Sequence, residues 1–209
     1  MKTKIFCLIV ATFLLSACGT AAPSAKPTPT PTSKAVEMPV SKRPMVSLTP
    51  SADGHYLDLK LENVPSTITS IEYEVLYDAS SNGSQIEKGI GDTIKLITST
   101  IEKNLLLGTE SCTSGCKYSY DTGIVGGEVT INFIDNNGRE STFDTPYVFK
   151  TTTDINKAGT LALSDSSFSV KPKTKLTGND YFVLMQNYRG GYSVFSSRPN
   201  SLVGNYQSN

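Results

Sequence analysis

Between residues 46 and 150, large apolar side chains return at every second position, with polar residues between them. Leu57, Leu59 and Leu61 alternate with Asp58, Lys60 and Glu62. Ile71, Tyr73, Val75 and Tyr77 are spaced by Glu72 and Glu74, and Val129, Ile131 and Phe133 by Thr130 and Asn132. Successive side chains on a strand point to opposite faces, so each run predicts a strand with one buried and one wet face. Turn formers bound the runs. They are Asp53-Gly54, Asn63 to Ser66 with Pro65, Asp78 to Ser84 with Asn82-Gly83, and Asp135-Asn136-Asn137-Gly138. Asn and Gly tolerate positive φ, which tight hairpin turns require. Ile94, Leu96 and Thr98 predict a short strand, and Leu105 to Leu107 follows. Phe143, Tyr147 and Phe149 mark a return strand, which Pro146 is expected to interrupt or to hold at an edge.

About seven strands at this spacing resemble an immunoglobulin-like or fibronectin type III-like β-sandwich. The resemblance covers 46–150, about half the chain. It rests on pattern alone: Trp is absent, and no widely spaced cysteine pair is present. It implies an all-β architecture and no particular activity, because such sandwiches host many. Residues 151–209 are expected to form a smaller β unit. Leu161 and Leu163 open it, Phe168 and Val170 continue, and Tyr181 to Tyr188 reads YFVLMQNY. After a turn at Arg189-Gly190-Gly191, Tyr192 to Phe195 is expected to return as a hairpin partner. So short a segment makes a marginal core by itself, so it should pack on the sandwich or extend its sheet.

The first 17 residues have a different pattern. Lys2 and Lys4 precede an apolar run of 11 residues, Ile5 to Leu15. A bilayer span needs about 20 residues, so the run fits the core of a signal peptide. It ends in Leu15-Ser16-Ala17-Cys18-Gly19, which resembles the lipobox of bacterial lipoproteins. That resemblance implies cleavage before Cys18 and lipid on its sulfur, often with a further acyl chain such as palmitate on the new amine. Two chains hold a protein at a membrane where one does not. The expected location is therefore extracytoplasmic, with the bilayer as a partner through Cys18. No other run in the chain is long enough to be transmembrane.

Residues 18–45 contain few large apolar side chains and a Pro-Thr repeat at 27–32. They are expected to form a disordered linker, with polyproline II character that gives a reach of about 80 Å. Lys2 and Lys4 are the leader's only charged residues, so its removal leaves 17 basic against 19 acidic residues. A near-neutral chain has no field to gather nucleic acid, and none is expected as a partner. Of the four cysteines, Cys7 leaves with the leader and Cys18 takes the lipid, leaving Cys112 and Cys116. An even number of thiols in an exported domain favours a disulfide. Three residues between them permit a bridge across a tight loop. A loop this short contributes about 2 kcal/mol in the chain-entropy model.

Catalytic patterns are missing from the sequence. His55 is the lone histidine, beside a turn, and is expected to be a surface residue. Asp135 to Gly138 lacks the ligand spacing of a calcium loop, because Arg139 takes a ligand place. Glu72 and Glu74 are expected on a solvated strand face. No metal or cofactor is expected. Tyr188, Arg189 and Tyr192 surround the Gly190-Gly191 turn and are the candidate binding surface, since aromatics and Arg are favoured in recognition sites. The leading expectation is a non-catalytic, membrane-anchored module that binds an envelope protein or glycan, or shapes the envelope. The alternatives are a wall or glycan hydrolase working through carboxylates, and an accessory subunit of an envelope, pilus or secretion complex.

Overall fold

The computed structural model describes residues 34–198 and 206–208. The leader, Cys18 and the linker through residue 33 lie outside the described residues.

The chain is mostly β. Its first elements are β1 (Lys34–Ala35), a 3-10 turn (Val40–Lys42), β2 (Met45–Pro50), β3 (Tyr56–Glu62), β4 (Ile68–Ser81) and β5 (Ser84–Lys95). Then come β6 (Ile101–Leu106), β7 (Gly108–Cys112), β8 (Cys116–Tyr120), β9 (Thr122–Asp135) and β10 (Arg139–Thr151). A short helix α1 (Thr152–Ala158) precedes β11 (Leu161–Ala162), β12 (Ser169–Pro172), β13 (Tyr181–Gln186), β14 (Tyr192–Ser196) and β15 (Tyr206–Ser208).

Two sheets make the sandwich. One has the order β2-β3-β6, and the other β5-β4-β9-β10, extended by β13 and β14. Their inner faces share one core. Leu48, Leu57, Leu59 and Leu61 from the small sheet meet Ile71, Val75, Ile131 and Phe133 from the large one, and all are essentially inaccessible. The three-on-four arrangement is that of the expected immunoglobulin-like, fibronectin type III-like sandwich. The alternating runs follow the expected parity: β3 buries every second residue, and in β4 Glu72 and Glu74 point to solvent.

β5 extends further than its apolar residues suggest. It pairs with β4 all the way from Ser81↔Ser84 to Ser70↔Lys95, around a two-residue Asn82-Gly83 turn with positive φ at both positions. The register puts Lys88 and Asp92 on the same side as Ile86, Ile90 and Ile94. Lys88 pairs with Asp121 at 2.6 Å, and Asp92 with Lys103 at 3.1 Å. Charges on the inward side of an edge strand discourage further strand addition, and they also break the apolar alternation by which a strand is recognised. In β10 the second of the two alternatives for Pro146, an edge position, is the one observed. The strand runs through Pro146 without interruption, but β13 begins to pair only at Tyr147, so Pro146 has a strand neighbour on the β9 side alone.

The C-terminal residues extend the large sheet. β13 is buried on both faces: Val183 and Met185 enter the sandwich core, while Phe182 and Leu184 enter a second cluster. That cluster joins Val148, Ile155, Leu161, Leu163, Val170 and Leu176. Burial on both faces is why YFVLMQ reads as a continuous apolar run. The helix α1 was not expected. Thr151 and Asp154 form a reciprocal capping box, and Gly159 closes the helix with φ 74°.

The folded body begins before residue 46, inside the expected linker. β1 pairs in parallel with Arg139 and Glu140 of β10, and Val36 N–H donates to the Glu140 carbonyl at 2.8 Å. Met38 is buried. Arg43 Nε donates to the Met38 carbonyl and Nη1 to the Tyr188 carbonyl, and its guanidinium sits 5.0 Å from the Tyr188 ring centroid. Arg43, on a segment otherwise poor in large apolar residues, supplies this fastening through its donors and its stacking surface.

Candidate functional site

Between β6 and β9 the chain leaves the sandwich as a separate two-stranded ribbon, β7 and β8, nearly all of it exposed. One backbone bond ties its base to the body and a second closes the base itself. Leu107 N–H donates to the His55 carbonyl at 2.8 Å, and Asp121 N–H to the Leu107 carbonyl at 2.9 Å. Asp121 also accepts from the Tyr77 hydroxyl at 2.8 Å and the Lys88 ammonium at 2.6 Å. The hydroxyl partner Tyr77 is itself a core residue, so the base of the ribbon is fixed to the core.

The tip of the ribbon is closed by the Cys112–Cys116 disulfide, with Cα atoms 4.1 Å apart. A lone two-stranded hairpin is marginal in water. A bridge contributing about 2 kcal/mol decides whether this one keeps a single shape. Replacing both cysteines by serine should speed amide exchange across residues 108–120 and leave the exchange of β4 and β9 unchanged. Mass-spectrometric hydrogen exchange reads this directly. Equal protection of the ribbon in both proteins would show the bridge to be dispensable.

Alternation gives the ribbon two unlike faces. Register pairs Gly108 with Tyr120, Glu110 with Tyr118, and Cys112 with Cys116. These residues share one face, and Thr109, Ser111, Lys117 and Ser119 share the other. Tyr118 and Tyr120 are 46% and 39% exposed. Their rings are parallel, with centroids 6.2 Å apart. His55 stacks on Tyr120 at 3.8 Å, and Tyr56 meets the same ring edge-on at 6.3 Å. His55 is oriented by Asp53, whose Oδ2 lies 3.2 Å from its Nδ1. Asp53 is held in the Asp53-Gly54 turn by the Ser51 hydroxyl at 2.6 Å and the His55 N–H at 3.1 Å. The Ser51 hydroxyl is the main cause of a carboxyl held below its ordinary value. Tyr118 is raised, chiefly by its hydrogen bond with Glu110, and Tyr56 is raised by desolvation and then by its hydrogen bond with Tyr120. Both phenols therefore stay protonated at neutral pH and keep their donors.

The sequence-derived candidate surface takes a different form. Tyr188 is a core residue, 7% exposed, stacked on Phe133 at 5.5 Å, with its hydroxyl 2.8 Å from Ser141 Oγ. Tyr192 stacks on Phe168 at 4.2 Å beside the second cluster. The two rings thus join different clusters, and of the three only Arg189 is exposed, its Nε donating to the Arg43 carbonyl at 2.6 Å. The three residues flank one turn but form no shared surface. The five-residue turn 187–191 explains this, because Tyr188 within it turns to the sandwich core and Tyr192 just after it to the second cluster.

His55 is partly exposed and serves as a stacking partner. Asp135 to Gly138 is a hairpin turn in which Asp135 Oδ1 accepts from the Asn137 and Arg139 amides and Oδ2 accepts from the Arg139 side chain. Its oxygens are thus already occupied. Among the described residues, the one grouping of three metal-type side chains is Glu110, Cys112 and Cys116, and the disulfide removes both thiolates as ligands. A cleft of about 680 Å³ lies where β1 joins β10, lined in part by Glu37, Asp135, Arg139 and Arg189. Its charges are largely paired within the protein, Glu37 with Arg43 and Asp135 with Arg139. No helix among the described residues is long and apolar enough to cross a membrane. In comparisons with known proteins, no family model, curated protein or solved structure matches the chain.

The aromatic ribbon was not recognised from sequence beyond its cysteines. The signal was present as Tyr118 and Tyr120, two positions apart and just after Cys116, in a stretch with no Leu, Ile or Val.

Proposed function

We propose that this protein is a lipid-anchored, extracytoplasmic binding module with no catalytic role of its own, and that the β7–β8 ribbon is its recognition element. The observation that carries the reading is the position of that ribbon. β9 starts at the ribbon, at Thr122, and ends at Asp135, beside the β1–β10 pairing where the linker arrives. Fourteen residues of strand separate the two ends by roughly 45 Å. Within the domain the ribbon therefore lies at the end opposite β1, where the described chain begins. Exposed aromatic side chains are typical of contact surfaces.

Site-specific crosslinking on intact cells tests this reading. A photoreactive residue replacing Tyr118 should give discrete adducts, and the same residue replacing Asn137, in the turn beside β1, should give none. Adducts from position 137 alone, or from neither position, would refute it.

A further inference from the structure

We infer that the Tyr118–Tyr120 face of the ribbon binds a neutral or N-acetylated sugar polymer, a step that rests on the ribbon being the recognition element. Three observations favour a glycan over a protein. The first is chemical. The face consists of phenol rings, one imidazole and two carboxylates, Glu110 and Asp53, and the ribbon contributes no aliphatic side chain. A pyranose has a face of C–H groups, which carry slight positive charge and stack on the negative face of an aromatic ring. Its hydroxyls lie around the rim, where the Glu110 carboxylate accepts from them in strong charge-assisted bonds and phenols both donate and accept.

The second observation is size. A Tyr side chain offers about 150–250 Å² in all, so two rings exposed by 46% and 39% present roughly 170 Å². A stable protein partner needs about 800 Å² on each side. Two or three sugar units fit the smaller figure. The third is pre-organisation. Tyr120 stacks on His55 and meets Tyr56 edge-on, His55 is oriented by Asp53, and Tyr118 lies parallel to Tyr120 with Glu110 opposite it across the ribbon. The disulfide closes the end of the same face. Rings that are already fixed lose little rotamer freedom on binding, which matters for a ligand with few contacts. The two carboxylates repel acidic polymers, which is why the class is restricted to neutral and N-acetylated sugars.

Co-sedimentation of the purified full chain with peptidoglycan, chitin and an insoluble neutral β-glucan tests the inference. The expected result is retention by at least one of the three. Tyr118→Ala and Tyr120→Ala should each weaken it about tenfold, the worth of one well-placed ring. Tyr118→Phe keeps the ring and should keep most of the binding. Thermal midpoints of the variants, unchanged within a few degrees, separate lost binding from lost folding. Retention by none of the polymers overturns the inference, as does equal retention of wild type and both alanine variants. If the polymers fail while a probe at position 118 crosslinks a protein on intact cells, the sugar assignment falls and the ribbon remains the recognition element.

Discussion

Phe133→Ala should lower the thermal midpoint by on the order of 10 °C. Phe133 is fully buried near the C-terminal end of β9, between Ile71 of β4 and Ser141 of β10. Its ring stacks on Tyr188, which also leans on Phe143 at 4.8 Å and holds Arg43 over its face. Removing a buried Phe ring costs about 3–5 kcal/mol, the sum of lost transfer energy and the cavity left behind. A chain of this size loses about 2–4 °C per kcal/mol. The stack connects the sandwich to the segment that brings in the linker, so the cavity should also loosen Met38 and Arg43. Differential scanning calorimetry measures the midpoint, and hydrogen exchange at residues 36–43 measures the loosening. A shift below about 2 °C would mean that the two sheets do not meet through this ring.

Cys18→Ala has the second large expected effect, on location. The proposed anchor depends on one sulfur. Without it no thioether forms, the signature that directs cleavage before residue 18 is lost, and the acyl chains are absent. Each buried methylene of an acyl chain contributes about 0.8 kcal/mol, so losing even one chain removes far more than a weak peripheral contact supplies. Wild-type protein should sediment with membranes and enter a detergent phase, and the variant should remain in the aqueous phase. If the variant stays with membranes after a salt wash, something other than lipid on Cys18 holds the protein.

The sandwich was legible in the sequence for a simple physical reason. A strand with one dry and one wet face writes period two into the chain, and Leu57, Leu59, Leu61 and Val129, Ile131, Phe133 follow it without exception. Four regions did not follow that rule. In β5, Lys88 and Asp92 occupy inward positions and find ionic partners, so the alternation was broken and only the Ile94 end of the strand was marked. β13 is dry on both sides, which removes the alternation and hides which residue faces which core. That ambiguity also put Tyr188 and Tyr192 on one expected surface, although they join different clusters. The helix α1 is a single capped stretch of seven residues, too short for a periodic signal, and only Thr151, Asp154 and Gly159 mark it. The ribbon is exposed on both faces and has no core to dictate a pattern. Pairing placed Tyr118 beside Glu110, and the fold of the β2–β3 turn brought His55 to Tyr120 from a distant part of the chain.

A ribbon replacement tests the central claim most directly. Residues Thr109 to Ser119 would be replaced by Asn-Gly, which joins Gly108 to Tyr120 with a favoured two-residue turn. The sandwich core takes no residue from that segment, so its melting should be preserved within a few degrees. The predicted result is a folded, membrane-associated protein that no longer captures anything on intact cells when a crosslinker sits at Tyr120. A folded replacement protein that captures the same material as the wild type would contradict the account, because recognition would then lie elsewhere on the domain.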